Sequence, residues 1–506
     1  MTRMNSVDSR GNDTGVFSSL VTRHSSLLLV FIALGIRVGV AWGFRFDGLY
    51  GQDAYVYFEE GRQLALTHRY TGLDSVGYPA LIGLGTSVFG TAPRVAQGIG
   101  LLLGSLTPVM VFTLGWHLTG RRVLAWIAGL IVCVLPAHVQ SSVVVMSDAP
   151  AMFWLTAGVV CGVRYLRNPS WGWGATTAVF LALATVTRYV SALVVVPLVV
   201  YAIVAGRRPP WTHLVGGGLI GLVLFIPEFV HMRVNIPSLF LLQGWSPLNA
   251  VRREFQTLDG ALRYDWPVVV ADAKALAGWG FFNPVLAGLA VVGGYVLRAE
   301  RATMAFILTW ILGLYGFLIG LPLVNPRYLL PLIVPISLLS AAGLVGLWGR
   351  TSHHTSGARL AFSAVIVFGL IGLGVGNVQK MRDILIRKRC ELQAVEWLDR
   401  HLPAGSPVIA FDVAHAVRQY GRHPMIHLHE IDPSRLHVPA GSAPGLYLIW
   451  DEALAARVAR HRPGPDDLIP RFAANDAWLR DGVQRTRLAR ICQWDVVRLN
   501  GVTSDR

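Results

Sequence analysis

The sequence predicts a polytopic α-helical membrane protein of about eleven spans, followed by a small extracytoplasmic α/β domain. Three observations carry that expectation. Of 506 residues, 53% are hydrophobic and only 14% are charged, with a mean hydropathy of +0.50, whereas a soluble globular chain carries roughly 25% charged residues. Apolar runs of about 20 residues, the length needed to cross the hydrocarbon core, recur between residues 25 and 378. Arginines mark every second loop between those runs, as cytoplasmic enrichment of basic residues requires. A soluble reading is excluded. A net charge of +15 raises nucleic acid as a partner, but the basic residues form short clusters with no long stripe, so none is expected.

In chain order, residues 1–24 form a polar cytoplasmic tail. It lacks a cleavage pattern, so the apolar run near Ser25 is read as a retained first span. Spans are expected at 25–44, 94–117, 122–140, 149–166, 172–187, 189–206, 213–230, 277–297, 303–322, 328–349 and 360–378. With the N-terminus inside, the inner loops carry Arg121 and Arg122, Arg164 and Arg167, Arg207 and Arg208, Arg298 and Arg301, then Arg350 and Arg359. The outer loops are 45–93, 141–148, a junction at Arg188, 231–276 and 323–327, and the short ones hold at most one arginine each. An odd number of spans puts the C-terminus outside. The expectation is a multi-pass protein of the plasma (inner) membrane, with a transmembrane module at 25–379 and an extracytoplasmic domain at 380–506.

Two outer segments exceed simple connectors. In 45–93 an amphipathic stretch, DAYVYFEEGRQLAL, precedes a turn-rich TGLDSVGYP and an apolar ALIGLGTSVFG too short to span, which predicts interfacial helices. Residues 231–276 mix aromatics with charges, including Trp245, Arg252, Arg253, Glu254, Tyr264, Asp265 and Trp266, a composition that fits a lid over a site. In the tail, helix-like AVEWLDRHL, DVAHAVRQY and EALAARVARH alternate with strand-like PVIAF, MIHLH, GLYLIW and QWDVVRL, as a small α/β domain does. Cys133 and Cys161 lie in apolar runs and read as core residues. Cys390 and Cys492 fall in the tail, where a disulfide is allowed; free thiols are the expectation, because sequence supplies no distance.

Charges near membrane depth are costly, so each needs a reason. Asp53, Asp148, Arg188 and Arg327 all fall on the outer face, with Glu59, Tyr78 and Tyr328 as neighbours in sequence. Asp53 reads as a general base that deprotonates an acceptor hydroxyl, or as a helix N-cap. Asp148 orients an acceptor, binds a cation or caps a helix; two distant carboxylates are a weak metal signal. Arg188 and Arg327 suit a phosphate oxyanion, or snorkel to headgroups, or pair with Asp53 and Asp148. Glu59 and Glu60 read more readily as a solvated face, and His117, His138, His231, His353 and His354 show no ligand spacing.

At these residues the sequence resembles a family. The Asp53 loop with its aromatic-rich helix, GYPALIGLGTSVFG, SDAP, TRYVSAL and NPRYLLPLIVP are similar to the dolichyl-phosphate-mannose protein mannosyltransferase and lipid A aminoarabinose transferase group of GT-C glycosyltransferases. The likeness covers most of 25–378. It implies transfer of a hexosyl or pentosyl group from a polyprenyl-phosphate donor to a lipid, glycan or protein acceptor on the extracytoplasmic side, usually with inversion. By position, Asp53 matches the catalytic aspartate of the first loop, Arg327 with Tyr328 a basic-aromatic pair heading a late span, and Arg188 an outer-junction arginine. Ala54 departs from the Asp-Glu pair common in protein mannosyltransferases, which weakens the case for a protein acceptor of that kind. The family has metal-dependent and metal-independent members, and no cluster here decides whether a divalent metal is a cofactor. The rival reading is a transporter or flippase; the lack of repeats, the long first outer loop and the outer domain speak against it.

Overall fold

The computed structural model describes residues 14–70, 72, 74–234, 244–257, 260–351, 356–428, 445–451 and 484–500. Helix α1 (Thr14–Gly43) carries the first apolar run. The segment 45–93 folds into α2 (Gly51–Thr67) and α3 (Gly77–Phe89), the two helices its patterning predicts. Next come α4 (Pro93–Thr119), α5 (Arg122–Val134), α6 (Pro136–Val143), α7 (Asp148–Arg167) and α8 (Trp171–Thr187). A 3-10 turn at Tyr189–Val194 leads into α9 (Val195–Val204), and α10 (Trp211–Val234) follows. Next along the chain come strands β1 (Glu254–Thr257) and β2 (Gly260–Arg263), paired antiparallel, then α11 (Val268–Ala277). The helical part closes with α12 (Pro284–Leu297), α13 (Arg301–Leu318), a 3-10 turn at Pro326–Leu332, α14 (Ile333–Thr351) and α15 (Ser356–His401).

Among the described residues, seven helices are long and apolar enough to cross a membrane, or up to eight if the bent α5–α6 pair is one span. Three shorter apolar stretches, Trp171–Thr187, Tyr189–Val204 and Pro284–Leu297, account for the other expected spans. The chain is thus a polytopic helical membrane protein, and the count of eleven stays an expectation.

The 56° bend between α5 and α6 follows from Pro136, which has no N–H to continue the helical ladder. The carbonyls it frees are met from other helices, as hydrocarbon demands. Arg37 Nη1 donates to the Cys133 carbonyl at 3.3 Å, and Asn377 Nδ2 donates to the Val134 carbonyl at 2.8 Å. Arg37 is wholly buried and also donates to His138 Nδ1 at 2.6 Å. Helices α12 and α14 meet through glycine: a Cβ at Gly293 would strike the Leu339 carbonyl, and one at Gly343 that of Leu289. Small residues of this kind let membrane helices approach closely.

Helix α15 continues unbroken from its apolar half through Lys380 to His401, so AVEWLDRHL forms its final turns. Beyond it lies a five-stranded sheet of β3 (Val408–Ala410), β4 (Met425–His427), β5 (Leu446–Asp451), β6 (Gln484–Ile491) and β7 (Trp494–Asn500), in the order β4-β3-β5-β7-β6. β3 pairs parallel with β4 and β5, and β7 antiparallel with β5 and β6. α16 (Ala414–Tyr420) lies between β3 and β4. Strand β6 escapes sequence reading because RTRLARI is mostly exposed and basic. EALAARVARH lies outside the described residues. The expectation of free thiols is corrected: Cys390 and Cys492 form a disulfide with Cα atoms 6.0 Å apart. The fold brings the β6–β7 turn against α15, a proximity that spacing in sequence does not reveal.

Candidate active site

The site begins with two glycines. Gly48 and Gly51 adopt φ of +92° and +64°, a region open to glycine at little cost. Gly48 lies so close to Gln97 and Val145 that a Cβ would meet them at 3.0 and 2.9 Å. Its carbonyl accepts from the Val145 N–H at 2.9 Å, and Gln97 Nε2 bridges the Phe46 and Val143 carbonyls. The loop leading to Asp53 is therefore fastened to the segment leading to Asp148.

Asp53 sits in the first turn of α2, whose N-cap is Tyr50. It is not the cap; its charge instead faces the positive end of the helix dipole. Asp53 Oδ2 lies 2.7 Å from Arg327 Nη2, with side chains 48% and 25% exposed. Arg327 heads the turn before α14, where Asn325 Oδ1 accepts its backbone N–H at 3.2 Å. Asp148 opens α7 and pairs with Arg188 at 2.8 Å, with side chains only 1% and 16% exposed. Arg188 also donates to Ser147 Oγ at 3.2 Å and stands 5.2 Å from the Tyr328 ring, within cation–π range.

The four charged positions expected on one face thus meet as two ion pairs. The first pair is open and the second is nearly sealed. Tyr78 is fully buried, with its ring edge-on to Tyr57 at 5.3 Å. Glu59 is engaged on its own helix by Arg62 at 2.9 Å.

A cavity of about 400 Å³ adjoins the open pair. Asp53 and Arg327 line it with Gln140, Ser141 and two cations from α15, Lys380 and Arg387. Arg188 and Asp148 are not among its walls. Sequence reading passed over Lys380 and Arg387 because they lie in QKMRDILIRKRC, where the composition simply turns polar.

Asp74 was also missed, hidden in the turn-rich TGLDSVGYP. Burial, with Glu60 and Asp53 nearby, pushes its carboxyl up to about 7. Glu228, wholly buried on α10, accepts from the Val76 N–H at 2.8 Å and from the Tyr189 hydroxyl. Among the described residues, no group of three or more His, Cys, Asp or Glu is placed to hold a metal.

The α2 end that carries Asp53 is gripped from α15. Glu391 accepts from the Gly51 N–H at 2.9 Å and from the Tyr55 hydroxyl at 2.8 Å. Lys388 lies 3.3 Å from Asp47 and donates to Tyr420 at 2.7 Å. Gln52 Nε2 donates to Asp412 at 3.1 Å. Helix α15, the loop leading into α2 and the α/β domain share one polar network.

Residues 77–258 match the family model of dolichyl-phosphate-mannose-protein mannosyltransferase. No curated protein matches the chain. The structure is similar to ArnT from Cupriavidus metallidurans in the apo state, at 15% identity and a TM-score of 0.63, covering 96% of this chain and 98% of that one. The same enzyme bound to undecaprenyl phosphate aligns over the same shares at 15% identity and a TM-score of 0.59. The archaeal oligosaccharyltransferase AglB from Archaeoglobus fulgidus, in complex with an inhibitory peptide and a dolichol-phosphate, aligns at 12% identity and a TM-score of 0.55, covering 81% of this chain and 65% of that one. The chain thus shares the fold of these membrane enzymes. The likeness to ArnT and AglB is one of fold, and it extends over most of this chain.

Proposed function

We propose that the chain transfers a sugar from a polyprenyl-phosphate donor to an acceptor on the extracytoplasmic face, with inversion and with Asp53 as general base. The observation that carries this reading is the half-exposed Asp53, paired with Arg327 on the wall of a polar cavity. An outer-face enzyme has no access to cytoplasmic nucleotide sugars, so a lipid-tethered donor is the fitting substrate. The similar structures of ArnT with undecaprenyl phosphate and AglB with dolichol-phosphate support that donor class.

Asp53 takes the acceptor's hydroxyl proton as the oxygen attacks the anomeric carbon and the bond to the phosphate oxygen breaks. Phosphate departs as an anion, so no general acid is required. Arg327 stabilises the charge that develops on it, and the sugar passes through an oxocarbenium-like transition state. Arg188, held by Asp148 and Tyr328, keeps the head of the late span in place behind Arg327. The basic inner loops and the Cys390–Cys492 disulfide in the tail support a cytoplasmic N-terminus and an outer C-terminal domain.

The test is transfer of radiolabelled sugar by purified protein in detergent, using a panel of polyprenyl-phosphate sugars. Labelled product with at least one donor supports the reading. Movement of donor across proteoliposomes without any transfer would replace it with a transporter.

A further inference from the structure

The cavity beside Asp53 contains more positive charge than the proposed reaction has used. Its charged walls are Arg327, Lys380 and Arg387 against Asp53 and Asp412. Arg327 is occupied by Asp53 at 2.7 Å. Arg387 is held only loosely, at 3.6 Å from Glu391 and 3.9 Å from Asp412, and Glu391 is itself engaged by Gly51 and Tyr55. Lys380 has no carboxylate within ion-pair distance among the described residues. Lys380 and Arg387 are two helical turns apart on α15 and so share a face. A lysine beside a loosely held arginine on a polar cavity wall attracts an oxyanion, the arginine as a fork and the lysine as a point charge.

We infer that Lys380 and Arg387 form a second anion seat in this cavity, separate from Arg327, which takes a phosphate group of one of the two substrates. The inference rests on the proposed glycosyl transfer and deepens it. Lys380 lies where α15 passes from its apolar half to its polar half, as a group meeting a lipid-borne phosphate would. If the phosphate belongs to the acceptor, the enzyme modifies a phosphorylated glycan or lipid; if it belongs to the donor, Lys380 and Arg387 share the leaving group with Arg327.

The space beside Lys380 offers an independent handle. A Cβ at Gly280 would meet Lys380 Cε at 2.7 Å. Gly280→Val therefore displaces the ammonium without changing any charge, whereas Lys380→Ala and Arg387→Ala remove charge.

The experiment measures binding of undecaprenyl phosphate to the full-length protein in detergent, and binding of inorganic phosphate with undecaprenyl phosphate saturating. Melting temperatures identify any variant that fails to fold. An acceptor seat predicts that wild type binds inorganic phosphate over saturating lipid, and that Lys380→Ala, Arg387→Ala and Gly280→Val each weaken this about ten-fold or more. A donor seat predicts that the same changes weaken undecaprenyl phosphate itself by that factor. Unchanged binding of both probes by folded variants overturns the inference while leaving glycosyl transfer intact. Altered phosphate binding in a protein that transfers no sugar would leave the seat standing and remove the proposed reaction.

Discussion

Arg327 Nη2 lies 2.7 Å from Asp53 Oδ2, joining the first turn of α2 to the turn that leads into α14, far along the chain. On the proposed reading the pair has a direct consequence for catalysis. In the resting protein Arg327 neutralises the carboxylate, and an incoming phosphate competes for the same guanidinium. Donor binding would then release Asp53 to act as a base while bringing Arg327 to the leaving group.

The sealed pair behaves differently. Arg188 and Asp148 are almost entirely buried, and breaking a buried pair from one side costs about 3–5 kcal/mol. Arg188→Ala and Asp148→Ala should each lower the melting temperature in detergent more than the double variant's excess over either alone. Strict additivity in that cycle would show that the two side chains are not coupled.

Asp74 supplies a pH signature. Its carboxyl is pushed up to about 7 by burial and by Glu60 and Asp53. The folded protein therefore holds a proton that the unfolded chain releases near pH 4. Stability from this group is full below about pH 4 and is lost as pH rises through about 7. The melting temperature should fall over that interval, and Asp74→Asn should flatten the decline. An identical pH profile in the variant would rule out this assignment.

Much of the helical architecture was legible because hydrocarbon imposes length and composition on every span. The same signal could not show that Pro136 breaks one span, or that Arg37, hidden inside an apolar run, repairs the break. Asp53, Asp148, Arg188 and Arg327 were legible as misplaced charges, and pairing stood among their readings; which arginine meets which carboxylate was not legible, since nothing in sequence measures the distance between residues 53 and 327. Lys380 and Arg387 were concealed by neighbours of like charge. The Cys390–Cys492 bond depends on how β6 and β7 return to α15, and β6 itself was invisible to a search for apolar alternation.

That disulfide closes a sequence separation of 102 residues, a constraint on the unfolded chain of about 4–5 kcal/mol in the chain-entropy treatment. Cys390→Ser with Cys492→Ser should lower the melting temperature markedly, and reductant should reproduce the loss in wild type alone. No change in either experiment would remove the bond from the account.

Glu391 provides a test of positioning. Glu391→Ala removes the acceptor of the Gly51 N–H and strands the buried Tyr55 hydroxyl, the latter at a cost of about 1–3 kcal/mol. Because α2 carries Asp53, kcat should fall while KM for the donor stays close to wild type, and Glu391→Gln should recover part of the loss by keeping one acceptor oxygen. An equal loss in kcat and rise in KM would indicate general disruption instead.

The most direct measurement compares wild type with Asp53→Asn for both sugar transfer and binding of undecaprenyl phosphate. The account predicts that transfer falls about 10²- to 10⁴-fold, while the lipid binds at least as tightly, because Arg327 has lost its internal partner. Near-normal transfer by a folded Asp53→Asn protein would contradict it.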